Sequence, residues 1–303
     1  MPIELKELRK QLIYEETAFF ENIQTDLDDI KSLSQLAKIR AEKFSNQALY
    51  YFIGLVSISV ISFTLYNSFV VSGLLSVTLG VMNWSLLGLI IGWIYALIMR
   101  SKFMRLNLIN YRYYLILEVM QMLIRDLDTA NSMYLKLSFQ RGEENQHKIN
   151  TIPHPYKPGW NIDIYRNQWL NTKGRFLDKT RFTLTITELS KKQYGWKHTR
   201  SGKKKYKSKV KYDGLDISLS LNYSQDRYNA MKILQNDVRD AIKIPEFCYV
   251  GGLKVTERSM SLRVRISPDY AKNPSEIYQT IIAMFLSVYQ VLNLAKMLSE
   301  QKV

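Results

Sequence analysis

The residues that could carry out chemistry are few and lie far apart in the sequence. His147, His154 and His198 fall in linker or hairpin segments, and their spacing to Cys248 does not match that of metal ligands. Cys248, the only cysteine, is interpreted as a buried, unreactive thiol. The chain has no GxSxG, phosphate-loop or HExxH motif. The sequence therefore predicts a protein that is not an enzyme, with no metal and no cofactor.

One segment carries a dense positive charge. Residues 191–211 contain ten Lys or Arg and no acidic residue, and Ser201-Gly202 near the middle predicts the tip of a β-hairpin. Such a density produces a positive potential that is focused on one element. The predicted partner- or anion-binding residues are Lys191, Lys192, Tyr194, Trp196, Lys197, Arg200, Lys203, Lys204, Lys205, Lys207, Lys209 and Lys211.

Four interpretations of this basic segment remain open. Its lysines could protect a solvated strand edge from aggregation. They could bind an acidic partner protein or an anionic lipid surface, near which each Lys or Arg contributes about 1 kcal/mol. They could bind nucleic acid, because the interleaved aromatic residues could stack on bases, although no nucleic-acid motif surrounds them. A phosphorylated small ligand is the fourth candidate.

The positive charge of the chain is concentrated in its C-terminal half. Of the formal net charge of +15, residues 151–303 carry +14, whereas residues 1–48 carry −2 and residues 100–150 carry +3. We therefore expect the partner-binding surface in the C-terminal region.

A long uncharged segment predicts two transmembrane helices. Residues 44–99 contain no Asp, Glu, Lys or Arg, and their length suits two spans of roughly 20 residues with a tight turn. We place these spans at 49–71 and 75–99, within a transmembrane hairpin of residues 49–99. Basic residues flank both ends of the hairpin and are missing from its turn, so the positive-inside rule predicts that both termini are cytoplasmic. The flanking residues are Lys38, Arg40, Lys43, Arg100, Lys102 and Arg105.

A stripe of small residues, Gly80, Gly88, Gly92 and Ala96, runs down the second predicted span. Small residues at this spacing allow helices to approach closely. The stripe could pack against the first span or mediate a homo-oligomer, and polar residues in the spans could line a pore in such an oligomer.

The segments around the hairpin predict helical arms. Apolar residues recur at helical spacing in 3–46 and 101–139, which predicts an N-terminal cytosolic amphipathic helix over 1–48 and a second arm over 100–140. The arms would form an antiparallel coiled pair. Residues 141–178, rich in proline and aromatic residues, are interpreted as a linker.

Residues 179–303 predict a basic α+β domain. Period-two alternation indicates strands at 181–187, 215–221 and 260–266, and a helix is predicted at 225–242. Asn273 and Pro274 predict the start of the last helix. The predicted architecture is thus an α+β membrane protein with an antiparallel sheet, one face covered by two helices and the other available.

This order of elements resembles that of bacterial two-span membrane proteins with a cytosolic α+β domain of unknown function. The resemblance covers the hairpin and the stretch from residues 182–188 to residues 294–298, and it implies no activity. Several two-span bacterial defence effectors also resemble this layout.

Two functional hypotheses follow. In the first, the chain is a non-enzymatic membrane tether whose basic domain docks an acidic partner protein, a complex or an anionic membrane surface. In the second, it is a membrane effector or pore that oligomerises when the cytosolic domain senses a ligand. A membrane tether for nucleic acid is a third hypothesis.

Overall fold

The computed structural model describes residues 10–68, 73–106, 108, 110–198, 202–234 and 238–300. The chain divides into two compact units, Met1–Asp26 with Tyr111–Val303 and Leu27–Asn110. In chain order the elements are β1 (Ile13–Ala18), α1 (Phe20–Ser68), α2 (Gly73–Arg105), α3 (Tyr111–Leu123), β2 (Met133–Ser138), a 3-10 turn (Asn145–His147), β3 (Lys148–Pro153), β4 (Trp160–Arg175), β5 (Arg181–His198), β6 (Lys204–Asn222), α4 (Met231–Leu234), α5 (Val238–Ala241), β7 (Cys248–Val255), β8 (Ser259–Ile266) and α6 (Pro274–Glu300).

The first unit contains one antiparallel sheet of eight strands. Its order is β1-β2-β4-β5-β6-β8-β7, and β3 pairs with the outer half of β4. The strands β4, β5 and β6 are 16, 18 and 19 residues long and pair with each other over most of that length. Because their neighbours β2 and β8 are much shorter, these strands extend beyond the rest of the sheet.

The sheet has a covered core face and an open face, set by period-two alternation. On β5, Phe182, Leu184 and Ile186 are buried on the core face, opposite apolar residues of β6. Helix α6 covers this face with a buried apolar stripe and also contacts α3. The alternate residues of β5 on the open face are threonines, which suits a face in contact with water.

An ion pair between a buried arginine and a partly buried glutamate lies at one end of the core face. Arg112 of α3 pairs with Glu188 of β5, and its Nη1 donates to the carbonyl oxygens of Ser138 at 3.0 Å and Gln140 at 2.9 Å. The guanidinium also lies 5.3 Å from the ring centroid of Trp169, a fully buried residue. These contacts compensate the charge, which would otherwise be costly to bury.

Several sequence predictions for this unit are confirmed. The chain is α+β with a C-terminal antiparallel sheet, strands occupy 181–187, 215–221 and 260–266, and the last helix begins at Pro274. The helix expected at 225–242 is wrong in extent, because the described residues there form only the short helices α4 and α5. The second helix beside α6 is instead α3.

The predicted helical arms and linker also differ from the structure. Residues 13–18 form strand β1 and residues 133–138 form strand β2, which pair with each other. Pairing of these two strands within the sheet outweighs the helical spacing of apolar residues over the longer segments 3–46 and 101–139. The predicted linker contains β4, which lies inside the sheet, and its Tyr165 and Trp169 are buried there. The domain boundaries themselves stay predictions.

The second unit contains most of α1 and all of α2. The Leu108 N–H donates to Ser34 Oγ at 2.9 Å, and the rings of Phe44 and Phe103 stack with centroids 5.7 Å apart. Further along, Ser62 lies against Met82. Early residues of α1 therefore contact late residues of α2, so the two helices run antiparallel along these contacts.

Three of the described helices are long and apolar enough to cross a membrane. They are Phe20–Thr64 of α1, Gly80–Arg105 of α2 and the whole of α6. The most apolar windows of the first two are only 6% buried within the protein, whereas that of α6 is 44% buried.

The ion pair of Arg112 and Glu188 gives a first prediction. Arg112→Leu leaves the partly buried Glu188 without its cation, so the free energy of unfolding of the full chain in detergent should fall by about 1–3 kcal/mol. The double variant Arg112→Leu/Glu188→Leu removes both charges and should recover most of this loss. Denaturant unfolding followed by near-UV circular dichroism measures both. A double variant as unstable as the single one would contradict the role assigned to the pair.

Candidate functional site

The outer parts of β5 and β6 form a long hairpin, here called the finger, which consists of residues 191–198 and 204–211. The two strands pair continuously from Lys191 opposite Lys211 to His198 opposite Lys204. Strand β4 accompanies the finger on one side as far as Trp160, opposite Gly195. On the other side β8 pairs with β6 only up to Leu215. Nearly all of the predicted partner-binding residues lie on the finger.

The register of the finger places six lysines on one face, here called the lysine face. Residues directly opposite each other in an antiparallel pair share a face, as do alternate residues along a strand. The lysine face therefore carries Lys191, Lys197, Lys205, Lys207, Lys209 and Lys211.

Gly195 belongs to the same alternating set and therefore lies on the lysine face. The ring of Trp160 lies so close to Gly195 that an added Cβ would be 2.5 Å from it. The indole therefore covers the one position of the β5 strand in this set that has no side chain. The Trp160 Nε1–H also donates to the Trp196 carbonyl oxygen at 3.2 Å, which fixes β4 against the finger.

Within the described residues, one lysine of this face has an acidic partner. Lys191 Nζ lies 2.8 Å from an Asp213 carboxylate oxygen at the base of the finger. Among the residues that the structure describes, no carboxylate forms an ion pair with the other five lysines of this face. Two lysine pairs, Lys191 with Lys211 and Lys197 with Lys205, stand directly opposite each other, an arrangement that disfavours the hairpin.

The opposite side of the finger, here called the aromatic face, carries Tyr194, Trp196 and Tyr206 together with Lys192 and Lys204. The ring centroids of Trp196 and Tyr206 are 5.5 Å apart and those of Tyr194 and Tyr206 are 6.3 Å apart. Trp196 and Tyr206 remain more than half exposed. The aromatic ladder stabilises the hairpin across its strands.

The aromatic face is anchored at its base by Asp163 of β4. The carboxylate of Asp163 accepts hydrogen bonds from Thr151 Oγ1 at 2.6 Å and from the hydroxyls of Tyr165 and Tyr194 at 3.2 Å each, and it pairs with Lys148 Nζ at 2.8 Å. Burial acts to raise the pKa of Asp163, but the hydrogen bonds from Lys148, Thr151 and Tyr194 outweigh it, so the pKa is lowered. This cluster connects β3, β4 and β5.

The sequence analysis missed this anchor. Asp163 and Lys148 lie in the segment that was interpreted as a linker, and only the pairing of Asp163 opposite Lys192 brings them to the finger. The alternation Ile162-Asp163-Ile164-Tyr165 was the available signal for a strand there.

Two predicted binding residues, Lys203 and Arg200, are not part of the finger strands. Lys203 is exposed beside the turn, and Gly202 adopts the left-handed backbone region with a φ of +78°, as hairpin tips often require. Arg200 lies outside the described residues. The structure thus brings the predicted residues together on one element but divides them between two opposite faces.

The predicted small-residue stripe is also divided. A Cβ added at Gly92 would lie 3.1 Å from the Tyr51 ring, and Ala96 is buried. At Gly80 and Gly88, an added Cβ would meet no described atom within 4 Å. Within the described residues, Gly92 and Ala96 are therefore the stripe positions that pack against the chain.

Groups suited to catalysis are not assembled in the described part of the chain. The Sγ of Cys248 lies 3.3 Å from Thr280 Oγ1, and burial raises the pKa of this thiol. No group of three His, Cys, Asp or Glu among the described residues could hold a metal ion. A raised thiol pKa disfavours the thiolate that a nucleophile would need.

Comparison with known proteins gives no relative: no family model matches the chain, and no curated protein or solved structure matches it.

The Asp163 cluster predicts a pH-dependent finger base. A carboxyl group whose pKa in the folded state is below its ordinary value of 3.8 stabilises the fold above that pH, and this contribution is lost as the pH falls through the lowered pKa. Hydrogen-exchange protection factors of β3, corrected for intrinsic rates, should therefore drop on acidification. In Asp163→Asn, the protection of β3 should already be low at pH 7, and acidification should lower it no further.

Asp213→Asn is the matched control, because Asp213 pairs with a finger lysine but makes no ion pair with β3. Its β3 protection should equal that of the wild type. If Asp163→Asn leaves β3 as protected as this control does, then the carboxylate does not hold the strands together.

Proposed function

We propose that the chain is an integral membrane tether with two spans, α1 and α2, that docks an acidic partner protein through the lysine face. Support for the spans comes from burial: the apolar windows of α1 and α2 are almost entirely uncovered by the protein, and lipid would cover them. In α6 the apolar residues pack on the sheet, so we do not count this helix as a span. The basic flanks of the uncharged segment support cytoplasmic termini.

The observation that carries the docking proposal is the segregation of six lysines onto one face of a continuously paired hairpin, with Asp213 as their one described ionic partner. A preformed row of cations loses little conformational freedom of the backbone on binding. It presents complementary charge to an acidic protein surface, which accelerates encounter and sets orientation.

The arrangement of the finger favours an acidic protein partner over nucleic acid, a membrane surface or a phosphorylated small ligand. Proteins that bind single-stranded nucleic acid combine cations with exposed aromatic rings that stack along one groove. Here the exposed rings of Trp196 and Tyr206 lie opposite the lysine face, and the Trp160 ring on the lysine face packs over Gly195. Membrane-interface proteins likewise use aromatic and basic residues on the same surface. The lysines also line an exposed strand pair, whereas a phosphorylated small ligand needs a concave site.

Neutralising lysines on either face of the finger tests this function. Lys207→Gln/Lys209→Gln removes two charges from the lysine face, and Lys192→Gln/Lys204→Gln removes two from the aromatic face. With the full chain in zwitterionic lipid nanodiscs, binding of a fluorescent polyglutamate peptide should weaken roughly tenfold or more in the first variant and much less in the second. Wild-type binding should also weaken as salt rises.

Equal losses in the two variants would contradict docking through the lysine face. Binding to phosphatidylserine vesicles or to single-stranded DNA, without binding to polyglutamate, would favour a lipid or nucleic-acid partner instead.

The membrane effector remains the second candidate. A Cβ added at Gly80 or Gly88 would meet no described atom within 4 Å, so this part of the stripe offers a surface to another copy of the chain. Gly92→Leu should weaken the packing of α2 on α1, since its side chain would enter the space of Tyr51. Gly88→Leu should leave the monomer unchanged. Native mass spectrometry from detergent measures the oligomeric state. A wild-type homo-oligomer that Gly88→Leu dissociates would support the effector. A monomer in both the wild type and Gly88→Leu would count against it.

A further inference from the structure

No described strand pairs with the outer edge of β6 along the finger. Strand β8 pairs with β6 from Leu215 to Asn222, and within the described chain the backbone of residues 204–211 has only β5 as a neighbour. All eight of these residues are exposed. Exposed N–H and C=O groups in a row form a template for another strand.

This edge differs from those of β3 and β7, and it is longer than that of β1, a strand of six residues. Strand β3 has a register shift between Lys148 and Asn150 and ends at Pro153, and β7 has a shift between Val250 and Gly252. Such irregularities protect an edge from pairing. The pairing of residues 204–211 with β5 has no shift over its whole length, because the nearest one lies between Leu189 and Ser190. The β6 edge is therefore long and regular.

Edge protection alone does not explain the lysines of the finger. Lysines on an edge strand repel a second copy of the same edge, which accounts for Lys205, Lys207 and Lys209. It does not account for Lys191, which lies on β5 with β4 and β6 on its two sides. The lysine face therefore extends inward from the edge that it would protect.

We infer that the free edge of residues 204–211 accepts an extended acidic segment of the partner protein as an added strand, with alternate carboxylates on the lysine face. This inference rests on the proposed function and specifies how the partner binds. Main-chain hydrogen bonds to β6 would supply affinity, and alternating acidic side chains would supply selectivity. The same lysines repel the lysines of a second copy of this edge. Attraction of carboxylates and repulsion of lysines therefore both favour an acidic strand.

The alternation explains why charge pattern matters in addition to charge. On β6 the four lysines of this face occupy every second position, and side chains of an added strand stand beside their cross-strand neighbours. A segment with Glu at every second position would place all of its carboxylates on the lysine face. A segment with contiguous glutamates would place half of them on the aromatic face.

Two peptides of the same composition test this inference on the full chain in zwitterionic nanodiscs. One has the sequence Thr-Glu-Val-Glu-Thr-Glu-Val-Glu, and the other has four contiguous glutamates followed by Thr-Val-Thr-Val. The alternating peptide should bind roughly tenfold more tightly, and Lys207→Gln/Lys209→Gln should weaken its binding. Equal affinities that both fall in this variant would overturn strand addition but leave docking by charge intact. If neither peptide binds, then the docking proposal fails as well.

Backbone methylation provides the decisive measurement. In an added strand the N–H groups of alternate residues point to β6 and the others point away. Two versions of the alternating peptide, N-methylated either on the glutamates or on the Thr and Val residues, should therefore differ: one should bind like the parent and the other should lose binding. Similar affinities for the two versions would overturn the inference. So would sedimentation showing that the chain fills this edge with a second copy of itself.

Discussion

The period-two alternation of β5 and β6 is the constraint on which the whole first unit depends. The same two strands supply the core near Leu184 and the lysine face near Lys207. A slip of one residue would move the apolar side chains into water and the lysines toward the aromatic face. The register of the lysine face is therefore set by burial of the core at the other end of the strands. The two faces of the finger continue the two faces of the sheet.

Polar interactions hold this register where the apolar core ends. Arg112 and Glu188 close the core face under α3, and Gly214 allows a bulge at the base of the finger. The φ of Gly214 is +104°, and an added Cβ would lie 2.4 Å from the Ile266 carbonyl oxygen, so another residue would strain this position. Beyond it, Asp163 anchors β3 and Tyr194. From the core toward the tip of the finger, the contacts that hold the strands therefore change from apolar to polar.

The sequence predicts the parts of this arrangement that depend on local pattern. The alternation of 181–187 and the lysine density of 191–211 are visible without a structure, and so are the apolar helices. Strand β4 was missed because its register shift between Gln168 and Leu170 interrupts the alternation, and because its aromatic residues follow a proline-rich segment. Strand β1 pairs with residues more than 100 positions away, a contact that no local window contains. The Asp163 anchor was missed with β4, because Asp163 lies on that strand.

The opposed lysines show that the finger is not optimised for its own stability. Lys197 with Lys205 and Lys191 with Lys211 weaken the hairpin, whereas a carboxylate at one position of either pair would strengthen it. The contact of Trp160 with Gly195, the aromatic ladder and the Asp163 cluster offset this repulsion from the opposite face and from β4. This support holds a row of cations for which the described residues provide one carboxylate partner, Asp213, at the base of the finger. Protection of an edge would need fewer of them, confined to β6.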